Sequence, residues 1–339
     1  MTISRRVICT FVVLLTLLSG LHAQPSSSVA IAPGPAYTSI VVFGDSLSDT
    51  GNVANLSQAK YGIRIPGLFA DYTDGRFTDG VSTIPGAATY TGVWVEQLAA
   101  LLPNHPPVLN SLNGGTNYAY GGAFTSPGTT NLVFTTNPIP LSVTVDNVGL
   151  QITHYLATHP VIDNKTLFVV WAGANDCLNA TSGQDILNAA TYQSTNVYRL
   201  IKAGATQLLV PNLPPLGNTP VVNGNPSNTV LFNQISAYYN HSLAQGISMV
   251  QGLLASSHAS VYQMDVYGLF NQVVASPASF GFTNVTSPSQ QQAVNPDTYL
   301  FWDNLHPTTH GHNLIANNAL QVLNAPPCTV NCPGSPVLK

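Results

Sequence analysis

Charge is what this chain has least of. Asp, Glu, Lys and Arg make up 6% of its 339 residues, against about 25% in ordinary soluble domains. Glu96 is the sole glutamate, which leaves aspartate as the carboxylate to look for wherever acid or base chemistry is suspected. The few basic residues are scattered without a run, and that excludes nucleic acid as a partner. Cysteine is scarce too. Cys9, Cys177, Cys328 and Cys332 are all there are, and with no matching histidine pattern they make a poor zinc site. No apolar run approaches the ~20 residues that a membrane-spanning helix needs.

The longest apolar run, Val7 to Leu18, follows Arg5 and Arg6 and is broken by Ser19-Gly20, with the small residue Ala23 placed for cleavage. Residues 1–23 therefore read as a secretory signal peptide, a membrane anchor being the weaker alternative. No cysteine stands where a lipid-modified amino terminus would need one. Without Arg5 and Arg6 the basic count falls from 9 to 7 against 13 acidic residues, a formal charge of -6. A secreted, extracellular protein fits this low charge and a surface rich in Asn, Thr, Ser, Gly and Pro. After export, Cys328 and Cys332 in the Pro-rich tail 325–339 would close a small disulfide loop, leaving Cys177 odd and buried.

A Ser/Pro/Gly-rich linker spans 24–37. Beyond it, short apolar runs alternate with helical patterns, which argues for one α/β domain over 38–324 with a parallel sheet covered on both faces. Strands are expected at 38–43, 116–120, 166–171, 207–211 and 260–265, and helices at 93–102, 184–203, 228–255 and 310–323. Two stretches, 53–92 and 124–143, read as long irregular loops. The first carries Arg64, Asp71, Asp74, Arg76 and Asp79 among Phe69, Tyr72, Phe77 and Tyr90, a mixed lining that suits either the wall of a site or a solvated insertion.

Ser46 stands just past the end of the buried run Ile40 to Phe43. Ligands of open parallel sheets bind outside the carboxyl ends of the strands, so its hydroxyl faces the site. Two readings are open here: Ser46 caps a helix starting near Leu47, or it is a nucleophile beside that helix's positive end. A nucleophile needs a base. Asp303 and His306 stand three apart in Phe301-Trp-Asp-Asn-Leu-His-Pro307, and one helical turn would let the aspartate orient the imidazole towards Ser46. The strand ends at Gly121-Gly122 and Gly173-Ala-Asn175 could supply donors to an oxyanion, although each is also an ordinary turn sequence. His306, His310 and His312 lack a fourth ligand for a metal. His105, His154, His159, His241 and His258 have no acidic partner at a convenient spacing.

Phe43-Gly-Asp-Ser-Leu-Ser-Asp-Thr-Gly-Asn52, Asn117-Tyr-Ala-Tyr-Gly-Gly122, Gly173-Ala-Asn175-Asp176 and Asp303-Asn-Leu-His306-Pro307 together resemble the four blocks of the GDSL family of lipases and acylhydrolases, also called SGNH hydrolases. They come in the family's order across nearly the whole chain after the signal. The resemblance implies a flavodoxin-like three-layer α/β/α fold of about five parallel strands and ester hydrolysis through an acyl-enzyme, without cofactor or metal. Carried over, Ser46 would be the nucleophile, His306 its base and Asp303 the orienter. The Ser46 and Gly122 N–H groups and the Asn175 amide would hold the oxyanion. The substrate would be an acyl lipid, or alternatively an acetylated polysaccharide; a non-catalytic surface-binding protein on the same scaffold is the reading outside enzymes. One departure is plain. The family's Gly-Arg-Phe segment, here Gly75-Arg76-Phe77, is separated from Val93-Trp94-Val95-Glu96 by the insertion Val81 to Gly92, which bears on substrate preference more than on mechanism.

Overall fold

The computed structural model describes residues 36–67, 71–80, 90–134 and 140–325. The signal peptide, most of the linker, Phe69 and the Cys328 to Cys332 tail lie outside the described residues. Strands run at β1 (Ser39–Gly44), β2 (Thr129–Phe134), β3 (Leu141–Asp146), β4 (Thr166–Trp171), β5 (Gln207–Pro211), β6 (Ser260–Met264), β7 (Asn284–Pro288) and β8 (Tyr299–Phe301). Helices run at α1 (Asn52–Tyr61), α2 (Trp94–Leu101), α3 (Val148–Thr158), α4 (Ala174–Asn179), α5 (Gly183–Lys202), α6 (Pro220–Asn223), α7 (Pro226–Leu253), α8 (Val266–Ala275) and α9 (Thr309–Asn324).

The central sheet is parallel, in the order β1-β4-β5-β6. Its strands are apolar on both sides, and alternate residues enter two separate cores. Ile40, Val42, Leu167, Val169 and Trp171 pack on one face with Trp94 and Leu98 of α2 and Ile315 of α9. Val41, Phe43, Phe168 and Val170 pack on the other with Ile152 of α3, Val197 of α5 and Tyr239 of α7. The result is a three-layer α/β/α fold.

The expected strand at 116–120 is the first correction. The segment does run alongside β1, with Val42 N–H donating to the Thr116 carbonyl (3.0 Å), Tyr118 N–H to Val42 (2.8 Å) and Tyr120 N–H to Gly44 (3.2 Å). Only one bridge, Val42 to Asn117, forms. The reason is competition. The next rung would run from Gly44 N–H to the Tyr118 carbonyl, but Gln151 Oε1 accepts from that N–H at 2.9 Å, so a side chain takes the group the ladder would use. With this edge segment, the order is that of flavodoxin-like sheets, and the chain reverses direction of winding at β1. Ser46 follows that strand.

Both stretches expected to be irregular contain structure. The first opens with α1, and the second holds the β2-β3 hairpin, which packs Val143 and Val145 against Val53 and Tyr120. Their polar, weakly periodic sequences acquire order by covering one another.

Candidate active site

No helix begins at Leu47. The chain turns at Asp45, with Ser48 N–H donating to the Asp45 carbonyl (3.1 Å), and α1 starts only at Asn52. Asp49, not Ser46, serves that helix: its carboxylate accepts from the N–H groups of Gly51, Asn52 and Val53, and from Gly121. The hydroxyl of Ser46 is thereby left for a different partner.

That partner is His306. Ser46 Oγ lies 2.8 Å from His306 Nε2, and His306 Nδ1 lies 2.7 Å from Asp303 Oδ2. The spacing of three is delivered by a side-chain-closed turn and not by the expected helical one. Asp303 Oδ1 accepts from the Leu305 and His306 N–H groups, both at 2.7 Å, which is the Asx pattern of short loops. Trp302 N–H donates to the His306 carbonyl (2.8 Å), and Phe301 bridges Pro307, closing the base of the loop.

The electrostatics follow from burial against pairing. Burial would raise the Asp303 carboxyl, but the adjacent His306 and the two backbone N–H groups outweigh it and hold the acid at about 2. For His306 burial opposes the imidazolium, yet the charge and hydrogen bond of Asp303, with Asp45 behind, turn the net shift upward. Asp45 itself is raised to about 7 by burial. Ser46 retains 8% of its surface exposed, enough to be reached from one side.

Gly122 and Asn175 converge on the same strand end. Tyr120 is tied to Gly44, and Gly122 then takes φ of 77°, a conformation that a side chain disfavours and whose Cβ would meet Leu132 at 2.8 Å. The Asn175 amide donates to the Ala123 carbonyl (3.0 Å). Asn175 also lines the pocket that holds Ser46 and His306, whose remaining walls include Leu216, Phe270, Phe301 and Ile315. Gly173 places α4 there. It has φ of 121° and lies so close to Tyr239 that a Cβ would fall 2.4 Å from the ring.

The family model for GDSL-like lipase/acylhydrolase matches residues 40–319. This chain belongs to that family. Lipase 1 of Photorhabdus luminescens is 28% identical over 88% of this chain and 52% of its own length, and a Pseudomonas putida relative is matched over 51% of its length. The chain thus spans about half the length of these curated relatives. GDSL esterase/lipase 7 of Arabidopsis thaliana is 27% identical over 84% of this chain and 88% of its own. Among solved structures, a carbohydrate acetylesterase from Sinorhizobium meliloti covers 84% of this GDSL chain and 96% of its own at 14% identity, with a TM-score of 0.40, too slight a likeness to bear on substrate.

Several residues around the site carried no signal of their role. Gln151 of α3 is wholly buried and grips Gly44 through both its amide atoms, at 2.9 Å each way. Tyr72 and Phe77 were legible only as aromatic lining. Tyr72 donates to Asp303 Oδ2 (2.9 Å), and the Phe77 ring lies 5.1 Å from the imidazole of His306. Three-residue spacings announce local turns, whereas a contact over more than two hundred residues announces nothing. His154 is a correction of the same kind: its Nδ1 lies 3.0 Å from Asp146 Oδ2 on the surface, because the end of β3 runs directly into α3. Among the described residues no group of His, Cys, Asp and Glu could hold a metal ion.

Proposed function

We propose that this GDSL-family chain is a secreted serine carboxylic ester hydrolase that works through an acyl-enzyme. The observation that carries the reading is the continuous line from Asp303 through His306 to the Ser46 hydroxyl, with both hydrogen bonds under 3 Å. Imidazole nitrogen at that distance can take the serine proton as Oγ attacks the ester carbonyl. Asp303 keeps the Nδ1–H tautomer facing away from Ser46 and stabilises the imidazolium without taking the proton. The carbonyl oxygen, now negative, lies against the Ser46 and Gly122 N–H groups and the Asn175 amide. His306 then protonates the departing alcohol, and water repeats the sequence on the acyl-serine.

The test uses the full chain, expressed with residues 1–23 in place and recovered from the medium. Its intact mass should begin at Gln24, and an intracellular, uncleaved product would remove the claim of secretion. Hydrolysis of p-nitrophenyl acetate, butyrate, octanoate and palmitate is then compared with Ser46→Ala. Activity that holds or rises at octanoate supports the acyl-lipid substrate. Activity confined to acetate, with acetate released from acetylated xylan, replaces it with a polysaccharide acetylesterase. Equal turnover by Ser46→Ala refutes the mechanism.

A further inference from the structure

We propose that Tyr72 is a positioning residue for Asp303, set by a segment, residues 71–80, that clamps the whole turn from Asp303 to Thr309. The proposal rests on the reading of Ser46, His306 and Asp303 given above and adds a fourth group to it.

Residues 71–80 meet that turn at each step. Tyr72 O–H donates to Asp303 Oδ2 (2.9 Å), the oxygen that also faces His306 Nδ1. The Phe77 ring stands between two parts of the site: it lies 5.1 Å from the His306 ring, and a Cβ on Gly121 would come within 2.4 Å of it. Thr78 Oγ1 donates to the Pro307 carbonyl (3.0 Å), and Asp79 accepts from Thr309 N–H and from Thr309 Oγ1 (2.9 Å). The segment is in turn closed on itself by Gly80 N–H to Asp71 and Thr73 N–H to Thr78. No residue of 71–80 lines the pocket at Ser46, and the segment reaches it only through His306 and Pro307, which do.

The orientation of the phenol is determined as well. Its ring packs edge-on against Trp302 at 6.1 Å, and the Gln290 side chain lies beside the hydroxyl. Asp303 is ionised and can only accept, so the Tyr72 proton points to the carboxylate. Burial and the Asp303 charge push the phenol well above its ordinary value, so it stays a donor.

Sharing Oδ2 has a chemical consequence. A second donor on that oxygen draws off negative charge that would otherwise act on the imidazolium. Besides Asp303 and Tyr72, the ionisable groups acting on His306 are Asp45 beyond β1 and His312 of α9; burial keeps His312 neutral, down to about 3. Without the Tyr72 hydroxyl, more of the Asp303 charge acts on the imidazolium, but the carboxylate is no longer fixed in place. The pH at which His306 becomes neutral rises, while the less firmly aimed imidazole takes the Ser46 proton more slowly.

Tyr72→Phe keeps the ring against Trp302 and removes only the donor. In the variant, kcat should fall about tenfold, the effect of losing one hydrogen bond to a charged group, with KM within twofold. The acid limb of the pH-rate profile should move upward by about half a unit or more. The low-field proton resonance of His306 Nδ1–H, read without substrate, should move with it. An acid limb and a resonance coincident with the parent's would overturn the proposal, whatever happens to kcat, since a merely packed tyrosine changes neither. Ser46→Ala runs alongside. Retained activity there defeats the underlying reading, whereas its loss with an unshifted Tyr72→Phe profile defeats the role of Tyr72 alone.

Discussion

The Asn175 amide has two N–H bonds, and the Ala123 carbonyl accepts one of them. The other is available to the pocket shared with Ser46 and His306. Removing a single donor from such a site lowers turnover on the order of 10²- to 10³-fold, so Asn175→Ala should cut kcat by that much with little change in KM. A loss below about threefold takes Asn175 out of the proposed mechanism. Asp45 has the opposite character, an acid kept close to the site at a cost. Burial raises it from 3.8 to about 7, so between those values the folded chain holds a proton that the unfolded chain has released. Stability therefore falls as pH rises through that window and levels off above about 7. Asp45→Asn has no such proton to lose. Its melting temperature relative to the parent should climb from pH 4 to 7, and a constant difference across that range would show that Asp45 is ionised throughout.

At the scale of elements, the start of α9 and the 71–80 segment stabilise each other. The first N–H groups of a helix have no partner within it. In α9 two of them are met from outside the helix, Thr309 N–H by Asp79 and Gly311 N–H by the Thr308 hydroxyl (3.1 Å). Asp79→Ala leaves the first buried and unsatisfied, which costs about 1–3 kcal/mol. Asp79→Asn retains an acceptor and should recover part of it. Urea unfolding measures both, and equal loss in the two variants would mean that charge, not the hydrogen bond, anchors the helix. The strands of the central sheet were legible because a strand buried on both faces is a short continuous apolar run, and β4 and β5 match their expected bounds at both ends. The run at 116–120 has the same look, but the Gly44 N–H it would pair with is taken by Gln151. The helix expected at Leu47 failed for a related reason, since Asp49 lies where its carboxylate can collect the N–H groups of α1 instead.

Across the whole molecule, the scarcity of charge extends to solvent-facing surface, α7 carrying exposed Val230, Leu231, Met249 and Leu253. No Asp, Glu, Lys or Arg occurs between Lys202 and Asp265, a stretch that includes β5 and all of α7. The ion pairs lie elsewhere, and one of them repairs the inserted sequence: Arg76 contacts Glu96 at 2.6 Å, rejoining the two segments that Val81 to Gly92 separates. The sequence by itself determined a parallel sheet covered on both faces, because buried apolar runs and helical alternation are local properties, and its four motif blocks, taken together, pointed by resemblance to Ser46, His306, Asp303, Gly122 and Asn175. Tertiary structure alone decided which side chains hold those residues in place. Tyr72 on Asp303, Gln151 on Gly44 and Asp79 on Thr309 each join segments far apart in the chain, and such contacts depend on how the layers close, which no local pattern encodes.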